Sequence, residues 1–519
     1  LSTRDTLSGR YGAVSAGSAL AAGTAMRVLQ QGGNAIDAAI AGSAVQCVVE
    51  MPWCGLGGDL FALVRLPDGS TVGLNGSGVA PAGVLEALAG APRVPRFGPV
   101  SPAVPATVDA WGMLHGAHGA MPWADLIDPA VAYAADGVPL DLRLTEALAS
   151  IPRLDNGDQL LPLLEDVTLV PGAVFRQPDL AETLRLISAA GPAGFYGGEV
   201  AKRIGAHVAS RGGALSADDL AAHRGLWATP VVASYRGATV HANAPVSMGV
   251  LLLACLRALE RAFPAGLPDD GPALTDVLVR LKHIVFAEVL PLLGDPDVLP
   301  NPDVLGEAAV ERLGAALAGA AAPATLPLAS DTTSIAVTGA DGTTVCLIHS
   351  LFNEFGSREL VPGTGVVLND RLANLTRNGG PNELAPGKHP MHTLHCYLAD
   401  LADGTTLAGA TPGGRGQVQT NLQVLIDVID RGNGLQAAVS RPRWVNGMPR
   451  RSIDDRTIYL ETGLADQADR LRAMDHPVEV VDPQLDDHFG NCTVVARNAA
   501  GDAHFAAADH RRAGHAAVW

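Results

Sequence analysis

LPLASDTTSIAVTGADGTTVCLIHSLFNEFGS, residues 326–357, is the stretch from which the fold is read. An Ala- and Pro-rich run stops at Asp331, and β-branched residues take over. TTSIAV and TTVCLIHS flank Asp341-Gly342, a dipeptide suited to the tight turn of a β-hairpin. Threonine favours strands, so Thr332-Thr333 has an ordinary reading as the opening of one. It has a chemical reading as well. If the chain were cut before Thr332, one residue would carry both a hydroxyl nucleophile and an α-amine able to take its proton. Such an amine has a reference pKa of about 7.7–8.0, close to the pH at which a general base works best.

Working outward, residues 313–330, LGAALAGAAAPATLPLAS, have low complexity and few charges and read as an exposed connector. Further upstream, residues 18–31 read as a helix closed by Gly32-Gly33, and Asn34 caps the next helix with Asp37 in its first turn. A Pro- and Gly-rich loop, MPWCGLGGD, then precedes a strand that ends at the Asp68-Gly69 turn. The middle, roughly residues 105–320, is mostly helical in pattern. Downstream of the hairpin, GTGVVLND reads as a strand, a further strand leads through glycines into the helix of GQVQTNLQVLIDVID, and NCTVVARNAAGDAHFAAAD reads as a last hairpin. Strands at both ends with helices around them predict stacked sheets flanked by helices.

The chain has 519 residues, 48% of them hydrophobic, and a formal charge of −17. That balance disfavours nucleic acid and anionic membranes as partners. The six cysteines form no C-x-x-C pair, so neither a zinc site nor a disulfide scaffold is indicated. No signal-like N-terminus or bilayer-length apolar run is present, and a cytoplasmic location is expected. His389, His392 and His395 recur every third residue, but Gly387 and Pro390 break the local regularity and no acidic ligand lies beside them. No metal and no cofactor are expected.

Nine segments together resemble the γ-glutamyltranspeptidase family of N-terminal nucleophile hydrolases. They are VLQQGGNAIDAAIAGSAVQ, GLGGDLFALV, GFYGGEVAKRI, GGALSADDLAAH, YRGATVHANAPVSMG, FAEVLPLLGDPD, DTTSIAV, TPGGRGQVQTNLQVL and AADHRRAGHAA, and they span nearly the whole chain. The resemblance implies an α+β fold, an αββα sandwich of two antiparallel sheets between helices. It implies self-cleavage between Asp331 and Thr332, giving a large subunit of residues 1–331, ending in the connector 313–331, and a small subunit of residues 332–519. Thr332 would be the nucleophile, Ser350 the hydroxyl that hydrogen-bonds it, and Gly413-Gly414 the backbone donors of the oxyanion hole.

The departures from the family bear on the substrate. The arginine expected for an α-carboxylate is absent near APAGVLEAL, where Glu86 stands. Asn374 replaces the aspartate that pairs an α-amine, His392 and Thr393 replace two serines, and Phe352 replaces an asparagine. SLFNEFGS, ELAPGKHPMHTL and GGRGQVQTNLQVL resemble a divergent branch. It includes oxamate amidohydrolases and the homologues that cleave a carbon–carbon bond in 4-alkyl-proline antibiotic pathways. The expected partner is therefore a small carboxylic acid, gripped by some of Asn353, Asn374, His392, Thr393 and Arg415. Trp53 and Cys54 are candidates to line the pocket. Arg371, as a loop arginine, is expected in solvent. A homodimer is compatible with this reading. The alternatives are a γ-glutamyl transferase acting on glutathione-like substrates and an unprocessed, non-catalytic member.

Overall fold

The computed structural model describes residues 5–319, 331–447, 456–483 and 489–519. In chain order, the strands of its two main sheets are β1 (Leu7–Gly9), β2 (Gly12–Ala16), β3 (Asp59–Arg65), β4 (Thr71–Gly76), β5 (Leu226–Ala228), β6 (Val231–Tyr235), β7 (Ala238–Ala242), β8 (Asp331–Gly339), β9 (Thr344–Phe352), β10 (Tyr397–Asp400), β11 (Thr406–Ala410), β12 (Thr493–Arg497), β13 (His504–Ala508) and β14 (His515–Val518). One sheet runs β14-β2-β8-β9-β3-β4-β5 and the other β1-β13-β12-β11-β10-β7-β6. Every neighbouring pair is antiparallel. The hairpin anticipated at Asp341-Gly342 is β8–β9, and it lies at the centre of the first sheet.

Alternate side chains of a strand face opposite ways, and the burial follows that rule. Phe61, Leu63, Ala336, Cys346 and Ile348 pack inward against Leu398, Ala408 and Val495 of the second sheet. Their neighbours Leu60, Ala62, Val64, Ile335, Val337 and Leu347 pack outward under helices α1 (Ala19–Gln30) and α2 (Ala35–Val49). Helices α3 (Gly249–Ala262), α4 (Pro272–Glu288) and α6 (Gly416–Ile429) cover the far face of the second sheet. The architecture is the αββα sandwich.

Asn34 and Asp37 close a reciprocal capping box on α2, as their spacing predicts. Every residue of α2 is buried, and its small side chains are what allow this. A Cβ on Gly42 would lie 2.4 Å from Ile335 Cδ1, so α2 sits directly on β8. Among the described residues, no helix is long and apolar enough to cross a membrane.

Three details differ from expectation. The middle of the chain is mostly helical, as its pattern predicts, but residues 226–242 form β5, β6 and β7. Arg236 and Gly237 both have positive φ, 50° and 82°, which is the two-residue turn that joins twisted strands. The connector begins later than residue 313, because helix α5 (Glu307–Ala318) runs into it with Leu313 and Leu317 buried. Alanine has the highest helix propensity, and the two leucines share one face. Residues 320–330 lie outside the described residues. Finally, GTGVVLND supplies only Val366–Val367, paired with Leu360–Val361 in a small ribbon apart from both sheets.

Candidate active site

Thr332 sits at an irregularity of the central strand. Asp331 pairs with Phe352 and Thr333 pairs with His349, so Thr332 alone opposes both Ser350 and Leu351. A bulge of this kind bends a strand and re-aims its side chains. The residues after it are also unusual, since Phe352, Phe355 and Arg358 all have positive φ, rare for side chains of this size. Thr332 and Ser350 are both buried. Ser350 Oγ accepts a hydrogen bond from the Phe352 amide at 2.7 Å, and across the sheet Ser350 pairs with Asp59 of β3.

Helix α2 anchors the strand from above. Gln46 Nε2 donates to Thr333 Oγ1 at 2.8 Å, to Glu50 Oε2 at 2.9 Å and to the Ser334 carbonyl at 3.0 Å. Thr333 Oγ1 in turn donates to the Glu50 carboxylate at 3.0–3.1 Å. Burial raises the pKa of Glu50, and the nearby Arg143 charge and the bonds from Gln46 and Thr333 partly offset that rise. Gln46 Oε1 is left to accept from His349 Nε2 at 3.0 Å, which assigns the imidazole proton to that nitrogen. Cys47 and Cys54 lie close to His349, the three ligand-type atoms falling within 4.8 Å of one another. Arg143 stacks over the Trp53 ring at 3.5 Å. Both line a cavity of about 300 Å³ with Glu50, beside Thr333. Ser43, Gln46, Cys47 and Glu50 went unremarked in the sequence. Their spacing marks a single polar stripe on an otherwise apolar helix, which is the signal that could have found them.

The end of β3 carries the second cluster. Arg371 opens a short 3₁₀ turn, Arg371–Asn374, and is fully buried rather than solvated, against expectation. Its Nε donates to Asp59 Oδ2 at 3.0 Å, and the other Asp59 oxygen takes the Gly78 amide at 2.8 Å. The guanidinium lies 4.5 Å from the centre of the Phe352 ring. Nη1 and Nη2 have no hydrogen-bond partner among the described residues. The same holds for both ring nitrogens of His392, which is fully buried 4.9 Å from Phe61. Burial, followed by the charge of Arg371, holds His392 well below its ordinary pKa and so neutral.

The other predicted contacts have defined places. Asn353 donates its amide and its Nδ2 to Asp370 and accepts from Arg96. Burial raises Asp370 to about 6, against the pull of those bonds. Asn374 Nδ2 donates to the Met391 carbonyl at 2.8 Å. Thr393 is buried, and its carbonyl meets His395 Nδ1 at 3.0 Å. His389 turns to Ser77 Oγ at 3.0 Å and His395 to Asn421 Nδ2 at 3.0 Å, so the three histidines face three different neighbours. Glu86 is exposed on the short helix Val84–Ala87.

Gly413 and Gly414 follow β11 and precede α6, with φ of 120° and 58°. Only glycine adopts the first of these readily. Arg415 is the half-buried N-cap of α6. Gln417, the second residue of the helix, is fully buried, and its amide has no hydrogen-bond partner among the described residues. Two hydroxyls tie the sheets together beneath this loop, Ser334 Oγ and Thr493 Oγ1 at 2.9 Å. The structure thus presents a buried threonine at a bulge of the central strand, a glycine pair ahead of a helix, and a buried cation held by Asp59 on the strand next to β9.

The sequence profile of the gamma-glutamyltranspeptidase family matches residues 21–519. The chain is 34% identical over 443 residues to the glutathione hydrolase-like YwrD proenzyme of Bacillus subtilis (strain 168), covering 82% of this chain and 83% of that protein. It is 32% identical over 508 residues to the oxamate amidohydrolase proenzyme of Klebsiella pneumoniae subsp. pneumoniae, covering 93% and 94%. Its fold superposes on the crystal structure of cephalosporin acylase from Bacillus halodurans with a TM-score of 0.88 at 27% identity, covering 100% of this chain and 98% of that one.

Proposed function

The chain belongs to the gamma-glutamyltranspeptidase family, and from that premise we propose that it cuts itself between Asp331 and Thr332 and then uses Thr332 to hydrolyse a small carboxylic acid. The bond cleaved is an amide, or an activated carbon–carbon bond, next to the carboxylate. The observation that carries this reading is the placing of Thr332. It is the single residue of the central strand that opposes both Ser350 and Leu351, and two of the relatives compared above are named as proenzymes.

In this mechanism the freed α-amine of Thr332 takes the proton of its own hydroxyl as the oxygen adds to the substrate carbonyl. The backbone amides of Gly413 and Gly414 stabilise the tetrahedral oxyanion. The leaving group departs, as an amine or as a stabilised carbanion that is protonated. Water then attacks the ester on Thr332 and restores the hydroxyl. Ser350 holds the nucleophile in line. The oxamate amidohydrolase of Klebsiella supports the choice of an amide beside a carboxylate. A γ-glutamyl donor is disfavoured because its α-amine would meet a neutral amide at Asn374, which is already committed to the Met391 carbonyl.

The test is intact mass with N-terminal sequencing of the purified protein, followed by assays on oxamate and on a γ-glutamyl anilide. We expect two chains, the second beginning Thr332-Thr333-Ser334, and ammonia release from oxamate in preference to anilide turnover. Thr332→Ala should remain one chain and be inactive. An uncut wild-type protein, or an active Thr332→Ala variant, would overturn the reading.

A further inference from the structure

We propose that the Nη edge of Arg371, together with His392, forms the subsite that receives the substrate carboxylate, and that it admits acids whose reacting carbonyl is directly bonded to that carboxylate. The inference rests on the proposed function for the identity of the reacting atom, and on the structure for the place of the charge.

A buried guanidinium left with free N–H groups is expensive, because buried polar groups are normally satisfied. Arg371 uses only Nε, on Asp59. Nη1 and Nη2 are buried and hydrogen-bond to nothing among the described residues. Planar paired N–H groups match the two oxygens of a carboxylate. His392 adds a second buried group in the same condition. Asp59, which holds Arg371, and Phe61, against which His392 packs, are alternate residues of β3 and share a face. The two unpartnered groups are therefore neighbours, and the charge of Arg371 acts directly on His392. A neutral imidazole can donate one N–H to a carboxylate oxygen beside the arginine fork.

Position also limits the length of the ligand. Asp59, Ser350 and Thr332 lie across three successive strands, and adjacent strands are about 4.8 Å apart. Arg371 reaches from the outermost of them over Phe352, which pairs with Asp331 next to the nucleophile. That leaves about one strand spacing between the cation and Thr332. Such a gap suits a carboxylate bonded directly to the attacked carbonyl and is too short for an acid with three intervening carbons. The aromatic floor provided by Phe352 also keeps the guanidinium plane fixed.

The experiment compares wild type with Arg371→Lys, Arg371→Met and His392→Phe. Calorimetry measures oxalate binding, turnover is followed on oxamate and on its methyl ester, and intact mass and thermal melts report cleavage and folding. Arg371→Lys keeps a cation for Asp59 but loses the fork, so oxalate affinity should fall roughly 10-fold. Arg371→Met should lose roughly 100-fold or more. The preference for oxamate over its methyl ester should collapse in both, while turnover of the ester is retained. Equal losses on acid and ester, with oxalate binding unchanged in Arg371→Lys, would make Arg371 purely structural and overturn the inference. Oxalate binding that depends on Arg371 in a protein that neither cuts itself nor hydrolyses oxamate would uphold this subsite while refuting the proposed function.

Discussion

Thr333→Val tests whether helix α2 holds strand β8 in register. The substitution keeps the volume and β-branching of a buried residue and deletes one hydroxyl. That hydroxyl donates to Glu50 at 3.0–3.1 Å and accepts from Gln46 at 2.8 Å. Gln46 Nε2 keeps two acceptors, Glu50 Oε2 and the Ser334 carbonyl, so it is not orphaned. The loss is therefore one hydrogen bond to a buried carboxylate, about 2 kcal/mol at neutral pH. It should depend on pH with a definite sign. The Thr333 bond lowers the pKa of Glu50, so the variant's carboxyl titrates higher than the wild type's. The wild-type advantage is then complete where Glu50 is ionised and shrinks as pH falls through its pKa. Urea melts followed by fluorescence and circular dichroism would measure this in a Thr332→Ala background, where the protein stays one chain. A cycle with Glu50→Gln should return a coupling of about 1–2 kcal/mol. A loss under about 0.5 kcal/mol that does not change with pH would refute the claim that this network carries the strand.

Gly58→Ala would place a Cβ 2.5 Å from the Ser350 carbonyl oxygen, costing about 1–3 kcal/mol and slowing the proposed self-cleavage, as melts and timed intact-mass spectra would show. Asp509 is buried between Arg443 and Arg511 and accepts the Cys492 amide. Burial alone would raise its carboxyl, but the two arginines hold it well below the ordinary range. Asp509→Asn should cost about 3–5 kcal/mol at neutral pH. In denaturation at stepped pH that cost should persist down to pH 4 and fade only below it, as Asp509 itself becomes protonated. Asp370 behaves in the opposite way. Its carboxyl is raised to about 6, so wild type should lose about 2 kcal/mol relative to Asp370→Asn as the pH rises from about 4 to about 6, read from paired urea melts.

The parts of the fold legible in the sequence are those where local chemistry and tertiary packing agree. Asp341-Gly342 marks its hairpin, and Asn34 with Asp37 marks a helix start, because the side chains act on their own backbone. Strands β6 and β7 were lost because VVASY and ATVHA are short and their turn is Arg236-Gly237, not one of the usual turn pairs. Helix α5 was lost because its alanines read as low complexity, and only burial of Leu313 and Leu317 distinguishes it from a linker. In the candidate site, Thr332, Ser350 and the glycine pair are expectations carried by the family resemblance, and the structure puts Thr332 and Ser350 on the adjacent strands β8 and β9. Arg371 was not. Its burial depends on Asp59, more than three hundred positions earlier in the chain, and no local pattern reports a partner at that distance.

The order of strands has a consequence for the life of the protein. In the first sheet β2, β3, β4 and β5 come from before Thr332, while β8, β9 and β14 follow or contain it, and the second sheet is mixed in the same way. Neither piece holds a complete sheet by itself. In the uncut chain, every strand finds its neighbours within one molecule, at the high effective concentration that a continuous backbone confers. If the proposed cut before Thr332 is made, the same contacts would persist, but a fully unfolded molecule would become two separate chains that must meet again in solution. We expect the uncut form to recover from denaturant independently of concentration and the cut form to recover poorly and in a concentration-dependent way. Maturation would then act as a ratchet, in which the protein retains its shape and gives up the ability to regain it.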